Sequence, residues 1–210
     1  MKNAAVGFRV HSGWCAGVAV SLEQGIPKVL RRERLYLVEE FTYQFRQPYH
    51  TAQKMRAPAS REFIDKVRAK AVDLACHAIQ RLQSDLETRG YRLSSGALLL
   101  ASGKLLPELE HILASHALIH TADGELFRDA ITRAHVRHGI PLACIKDREL
   151  LGEAEQSLGL TAAALRTRLS ELGKPLGAPW SQDEKFAALA AWLALPEKVK
   201  PAAESKRQLA

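Results

Sequence analysis

The stretch AVGFRVHSGWCAGVAV, residues 5–20, decides how the rest of the chain is read. Two apolar runs flank a short polar break at His11-Ser12-Gly13, and short apolar runs bounded by turn residues are the mark of buried strands. Residues 4–10 and 14–22 are therefore predicted to be antiparallel strands joined by a tight hairpin. A second break at Glu23-Gln24-Gly25 leads into residues 28–38, where polar side chains alternate with apolar ones, so the hairpin extends to a three-stranded meander.

Downstream the period changes from strand to helix. Ile64, Val67, Ala71, Leu74, Ala75, Ala78, Ile79, Leu82 and Leu86 follow the spacing of one buried helix face, with Ser60 as the predicted cap and Gly90 placed to end the helix. ALLLA, residues 97–101, is short and apolar, which fits a parallel strand covered on both faces and reached by that helix as a crossover. Residues 105–119 and 125–138 read as two helical stretches broken near Asp123-Gly124, and IPLACI, residues 140–145, as a fifth strand. The order predicts an α/β fold: a mixed sheet, with a three-strand antiparallel meander plus two parallel strands, flanked by helices. One domain over residues 1–195 is expected, with a loose polar tail at 196–210 and a long loop or excursion at 39–60.

Composition narrows the setting. No apolar run approaches the roughly 20 residues of a membrane span, and MKNAAVGFRV reads as a first strand, not a signal peptide, so a cytoplasmic protein with no membrane partner is expected. Cys15, Cys76 and Cys144 lie in separate apolar segments without a CxxC pair, which predicts reduced core thiols. Thirty Lys and Arg against 23 Asp and Glu leave a net charge of +7, a surplus that permits attraction to phosphate without establishing it.

The element order resembles the ribonuclease H-like superfamily, and within it the RuvC-type Holliday-junction resolvases. Residues 5–20 are similar to that family's first strand, turn and second strand; GELFRDAITRAHVRHGIPLACI, residues 124–145, to its helix and fifth strand; and DEKFAALAAWLAL, residues 183–195, to its final helix. The resemblance implies a nucleic-acid partner and a nuclease centre in which carboxylates hold two divalent metals about 3.5–4 Å apart. The sequence departs from that pattern. Arg9 stands where the first-strand aspartate is implied, and Ala101-Ser102 where a second acid is implied, leaving Asp183 as the one matching carboxylate. RuvC-style cleavage is therefore not expected.

Ser181 and Glu184 have the S-x-x-E spacing of a capping box, so residues 181–195 open a helix whose first turn carries Asp183 and Lys185. Asp183 at a helix N-terminus is favourable by about 0.3–1 kcal/mol through the dipole alone. It also continues the face of Phe186, Ala190 and Leu193, and on the resemblance that face meets Arg9 and His11. A structural Arg9–Asp183 ion pair in place of a metal site is the preferred reading, with His11, Asp183 and Lys185 as the candidates for any catalysis.

Two further constellations stand out. His116 and His120 share a helix face, with Glu125 close behind, which makes these three the candidate metal ligands although no cofactor is expected. Residues 41–56 interleave Phe41, Tyr43, Phe45 and Tyr49 with Arg46, His50, Lys54 and Arg56; rings stack on bases and cations hold phosphates, so these eight are the candidate nucleic-acid contacts. The same rings can instead pack on the core or on a second copy of the chain. No G-x-S-x-G, P-loop or G-x-G-x-x-G pattern is present. The reading that follows is a nucleic-acid-associated binding or scaffolding protein. A metal-assisted hydrolase or nuclease using the His, Asp and Glu residues, and a self-associating interaction module, are the alternatives.

Overall fold

A computed structural model describes residues 1–101 and 105–196. All of the expected tail at 196–210 beyond residue 196, and Ser102, lie outside the described residues. Five strands, β1 (Lys2–His11), β2 (Trp14–Glu23), β3 (Ile26–Tyr36), β4 (Tyr91–Leu100) and β5 (Leu142–Lys146), form a mixed sheet in the order β3-β2-β1-β4-β5. β1 pairs antiparallel with β2 and parallel with β4, and β4 pairs parallel with β5. β3 begins two residues before the predicted start. Gln24 and Gly25 both have positive φ (54° and 80°), so they make a two-residue turn and pairing resumes at once between Glu23 and Ile26.

The helices are α1 (Tyr43–Arg46), α2 (Pro48–Ala52), α3 (Ala59–Thr88), α4 (Leu109–Leu113), α5 (His116–Arg137), α6 (Leu150–Leu158), α7 (Ala162–Gly173) and α8 (Gln182–Ala194). β1 lies at the centre and is covered on both faces, which is why its sequence is almost continuously apolar. Ala4, Val6, Phe8 and Val10 pack with α3 and α5 in one core, while Ala5 belongs to a second core built with α6, α7 and α8.

Helix α8 lies close against β1 at Gly7. A Cβ on Gly7 would collide with the Ala187 carbonyl oxygen and lie 2.8 Å from the Ala191 amide nitrogen. Ala187, Ala188, Ala190 and Ala191 are fully buried beneath it, so small side chains on the helix and none on the strand set the spacing.

Several expectations are corrected. The first long helix starts at Ala59, with Pro58 in the cap position and its carbonyl accepting from the Arg61 and Glu62 amides, while Ser60 is buried inside the first turn and caps nothing. Helix α5 runs unbroken through Asp123-Gly124. Glycine there costs about 1 kcal/mol, but Ile119, Ala122, Leu126, Phe127 and Ala130 are buried on the same helix and hold it together. Residues 39–60 contain α1 and α2 in place of an irregular loop, because Tyr49 and Ala52 on α2 are buried against α3 and α5. Only Cys15 is a core thiol; Cys76 is half-buried and Cys144 is exposed on the edge strand β5.

Two stability effects follow. Gly7→Ala should lower stability by about 1–3 kcal/mol or more in a denaturant melt, since both obstructing atoms are backbone. His135 is fully buried, with Nδ1 3.0 Å from the Ile131 carbonyl oxygen and Nε2 unpartnered among the described residues; burial pushes its imidazole down to about 4. Below its ordinary value near 6.5 the unfolded chain takes up a proton that the folded chain refuses until about pH 4, so acid removes about 1.4 kcal/mol per pH unit through this group. Melts of His135→Leu between pH 7 and pH 4.5 should show a correspondingly weaker pH dependence than the parent chain.

Candidate functional site

The carboxyl ends of β1, β4 and β5 meet the N-terminus of α8 along one edge of the sheet, the position where open α/β sheets form their clefts. The capping box fixes that helix end: Ser181 Oγ accepts from the Glu184 amide and Glu184 Oε2 accepts from the Ser181 amide at 2.7 Å. Arg32 on β3 braces the same segment. Its guanidinium donates to the Leu176 carbonyl at 3.0 Å and to the Pro179 carbonyl, and lies 3.7 Å from Glu184.

Arg9 reaches across the edge from β1. Its Nη1 donates to Asp183 Oδ1 at 3.0 Å, and its Nη2 to Asp147 Oδ2 at 3.1 Å, while the guanidinium carbon lies 4.9 Å from the centre of the Phe186 ring. His11 Nε2 also lies 3.0 Å from Asp183 Oδ1, so one carboxylate oxygen serves two partners. The second oxygen of Asp147 is buried and unpartnered among the described residues. Asp147 escaped the sequence reading, although its place immediately after the fifth strand was a usable signal, since strand carboxyl ends face the cleft. Lys185, in the same first turn of α8, is half-buried and makes no ion pair with a described residue. No described Ser, Thr or Cys side chain hydrogen-bonds to His11, so this histidine has an acid partner and no nucleophile.

Beside this network the hairpin turn presents rings and cations in sequence. The His11 imidazole stacks on Trp14 at 4.4 Å and 14°. The Arg34 guanidinium covers Trp14 at 3.8 Å and stands 5.5 Å and 5.7 Å from Tyr36 and Phe41, which meet edge to face. Arg46 then lies 4.4 Å over Phe41, with its stem packed on Gly13, whose φ of 82° belongs to the turn. Tyr36, Phe41 and Tyr43 are 52%, 42% and 58% exposed, unusual values for large aromatic side chains.

The eight residues singled out between 41 and 56 divide accordingly. Phe41, Tyr43, Lys54 and Arg56 are exposed and Arg46 is half-buried on the hairpin. Phe45 packs on Phe63, and Tyr49 is buried with its hydroxyl accepting from Arg68 at 3.3 Å. His50 turns inward to Asp123. Exposed Arg34 and Tyr36 and half-buried Trp14 join this group from outside the segment, because strand pairing sets Trp14 opposite Tyr36. The metal candidates also regroup: Glu125 pairs with Arg128 at 3.1 Å, while His116 and His120 face His50.

If the Arg9–Asp183 contact contributes as a pair, Arg9→Asp and Asp183→Arg should each lower the melting temperature, and the double exchange should recover part of the loss. A coupling of about 0.5–3 kcal/mol is expected; strictly additive losses would remove the pair as a stabilising unit.

No protein-family model and no curated protein matches the sequence. Among solved structures, Thermus thermophilus RuvC in complex with Holliday junction substrate is similar at a TM-score of 0.51 and 13% identity, covering 90% of this chain and 91% of that one. A second Thermus thermophilus RuvC structure aligns at 0.48 and 12% identity over 90% and 92%. The mixed five-stranded sheet with its flanking helices is the ribonuclease H-like fold found in RuvC.

Proposed function

We propose that this chain is a nucleic-acid-binding protein on a ribonuclease H-like fold, and that it does not cut by the two-metal route. The observation that carries the reading is the surface row in which exposed Arg34, Tyr36 and Phe41 join half-buried His11, Trp14 and Arg46 beside the strand carboxyl ends. Tyr36 and Phe41 keep exposed ring surface on which unpaired bases can stack, and guanidinium groups between the rings can hold phosphates. The net charge of +7 favours such a partner over a long range. The RuvC structure of similar fold holds a Holliday junction substrate, which supports a nucleic-acid partner for this chain.

The edge itself does not fit a pair of divalent cations. Two-metal catalysis needs several carboxylates converging on two ions, whereas here a guanidinium from β1 sits between Asp147 and Asp183 and takes one oxygen of each. Ala101 at the end of β4 supplies no ligand. Arg9 thus gives the two acids a fixed positive partner that no buffer removes.

Fluorescence anisotropy with single-stranded, duplex and four-way-junction oligonucleotides, over a salt series with and without magnesium, tests the reading. Binding should weaken steeply with salt. Tyr36→Ala and Phe41→Ala should each weaken it roughly 5- to 150-fold, the equivalent of about 1–3 kcal/mol per stacked base, and Arg34→Gln should lower the salt slope by about one. No binding at low salt, or magnesium-dependent cleavage of any of the oligonucleotides, would overturn it.

A further inference from the structure

Three histidines converge where α2 docks on the start of α5. His116 and His120 occupy successive turns of α5, with their Nε2 atoms 3.0 Å apart. The ring of His50, from α2, lies 4.4 Å from that of His120 and 5.5 Å from that of His116, edge to face with each. One ring nitrogen of each residue lies within 4.8 Å of the other two. A tetrahedral ion with metal–nitrogen bonds of about 2.0–2.1 Å sets its ligand atoms about 3.3 Å apart. His116 and His120 are exposed, so small ring rotations close the cluster to that spacing.

The third ligand is held from behind. His50 Nδ1 lies 2.5 Å from Asp123 Oδ2, and the other oxygen of Asp123 accepts from the Tyr49 amide at 2.7 Å. A proton held on Nδ1 by that carboxylate leaves the lone pair on Nε2 and raises its basicity, the second-sphere arrangement of metal-bound histidines. Asp123 is only 2% exposed. Such a burial is costly for a carboxylate whose sole task is to pin a five-residue helix.

We propose that His50, His116 and His120 form a binding site for a divalent transition-metal ion of the zinc class, with Asp123 as the positioning residue behind His50. Three neutral imidazoles suit zinc in preference to magnesium or calcium, which favour oxygen ligands. A fourth coordination position remains for water or an anionic oxygen. His120 also borders a cleft of about 460 Å³ lined by His11, Ser12, Glu125 and Arg128, so the ion would stand next to the edge described above. The site is independent of the nucleic-acid reading, and its test uses no oligonucleotide.

The chelator-stripped full chain is titrated with zinc by calorimetry and with cobalt(II) by visible absorption. One ion per chain, the strong absorption of four-coordinate cobalt and a rise in melting temperature with zinc are expected. Asp123→Asn should weaken zinc binding roughly 10- to 100-fold, and His116→Ala or His120→Ala should weaken it more. His138→Ala, at the far end of α5, should leave it unchanged. Both His116 and His120 are exposed, so their variants keep the fold, which circular dichroism checks. Absence of saturable binding at micromolar zinc, or binding that survives both alanine variants, would overturn the proposal and leave Asp123–His50 as a helix-docking contact alone.

Discussion

Everything at the sheet edge depends on how closely α8 lies on β1. Gly7 has no Cβ, and the helix offers four buried alanines, so backbone meets backbone. Contact that tight leaves one orientation for the helix, and the capping box fixes where it starts. Asp183, two residues into α8, is thereby delivered to Arg9, two residues past Gly7 on the same strand face. A bulkier contact at either point would lift the helix and separate the charges. The ion pair is thus a consequence of core packing, and a test of it is also a test of that packing.

At that edge one cation organises three side chains. The planar guanidinium of Arg9 has donors in a fixed fork, which lets it bridge carboxylates approaching from β5 and from α8 at once. His11 completes the arrangement by sharing an oxygen of Asp183 while stacking its face on Trp14. The acidic network and the ring row are therefore mechanically joined through one imidazole. Arg34 and Arg46 extend the row by covering rings, so the cations and the aromatic faces are ordered before any ligand arrives.

The excursion between β3 and α3 serves two surfaces. Phe45 and Tyr49 face inward and anchor it on α3, while Phe41 and Tyr43 remain at the surface. His50 is drawn in by a carboxylate that belongs to α5, and that contact also brings it to His116 and His120. Three basic residues along α3 are already paired, Arg61, Arg68 and Lys70 with Glu110, Asp65 and Glu39.

Period and turn chemistry were enough to read the five strands, their order of direction, the long crossover helix and the start of α8, because each of those signals is local and repeats along the chain. The departures lay where tertiary contacts outweigh local preference: Gly124 inside α5, Pro58 in place of Ser60 at the start of α3, and two short helices where periodicity was absent. The sequence by itself determined that the first strand carries a cation, Arg9, and that Asp183 opens a helix. Only the tertiary structure decided that Asp147 shares Arg9, that Trp14, Arg34 and Tyr36 join the aromatic surface, and that His50 completes the histidine cluster in place of Glu125. The physical reason is range. A helix turn or hairpin is set by neighbours a few residues apart, whereas these sites join residues about 20 to 140 positions apart, and no local pattern encodes which of many compatible side chains the packing will bring together.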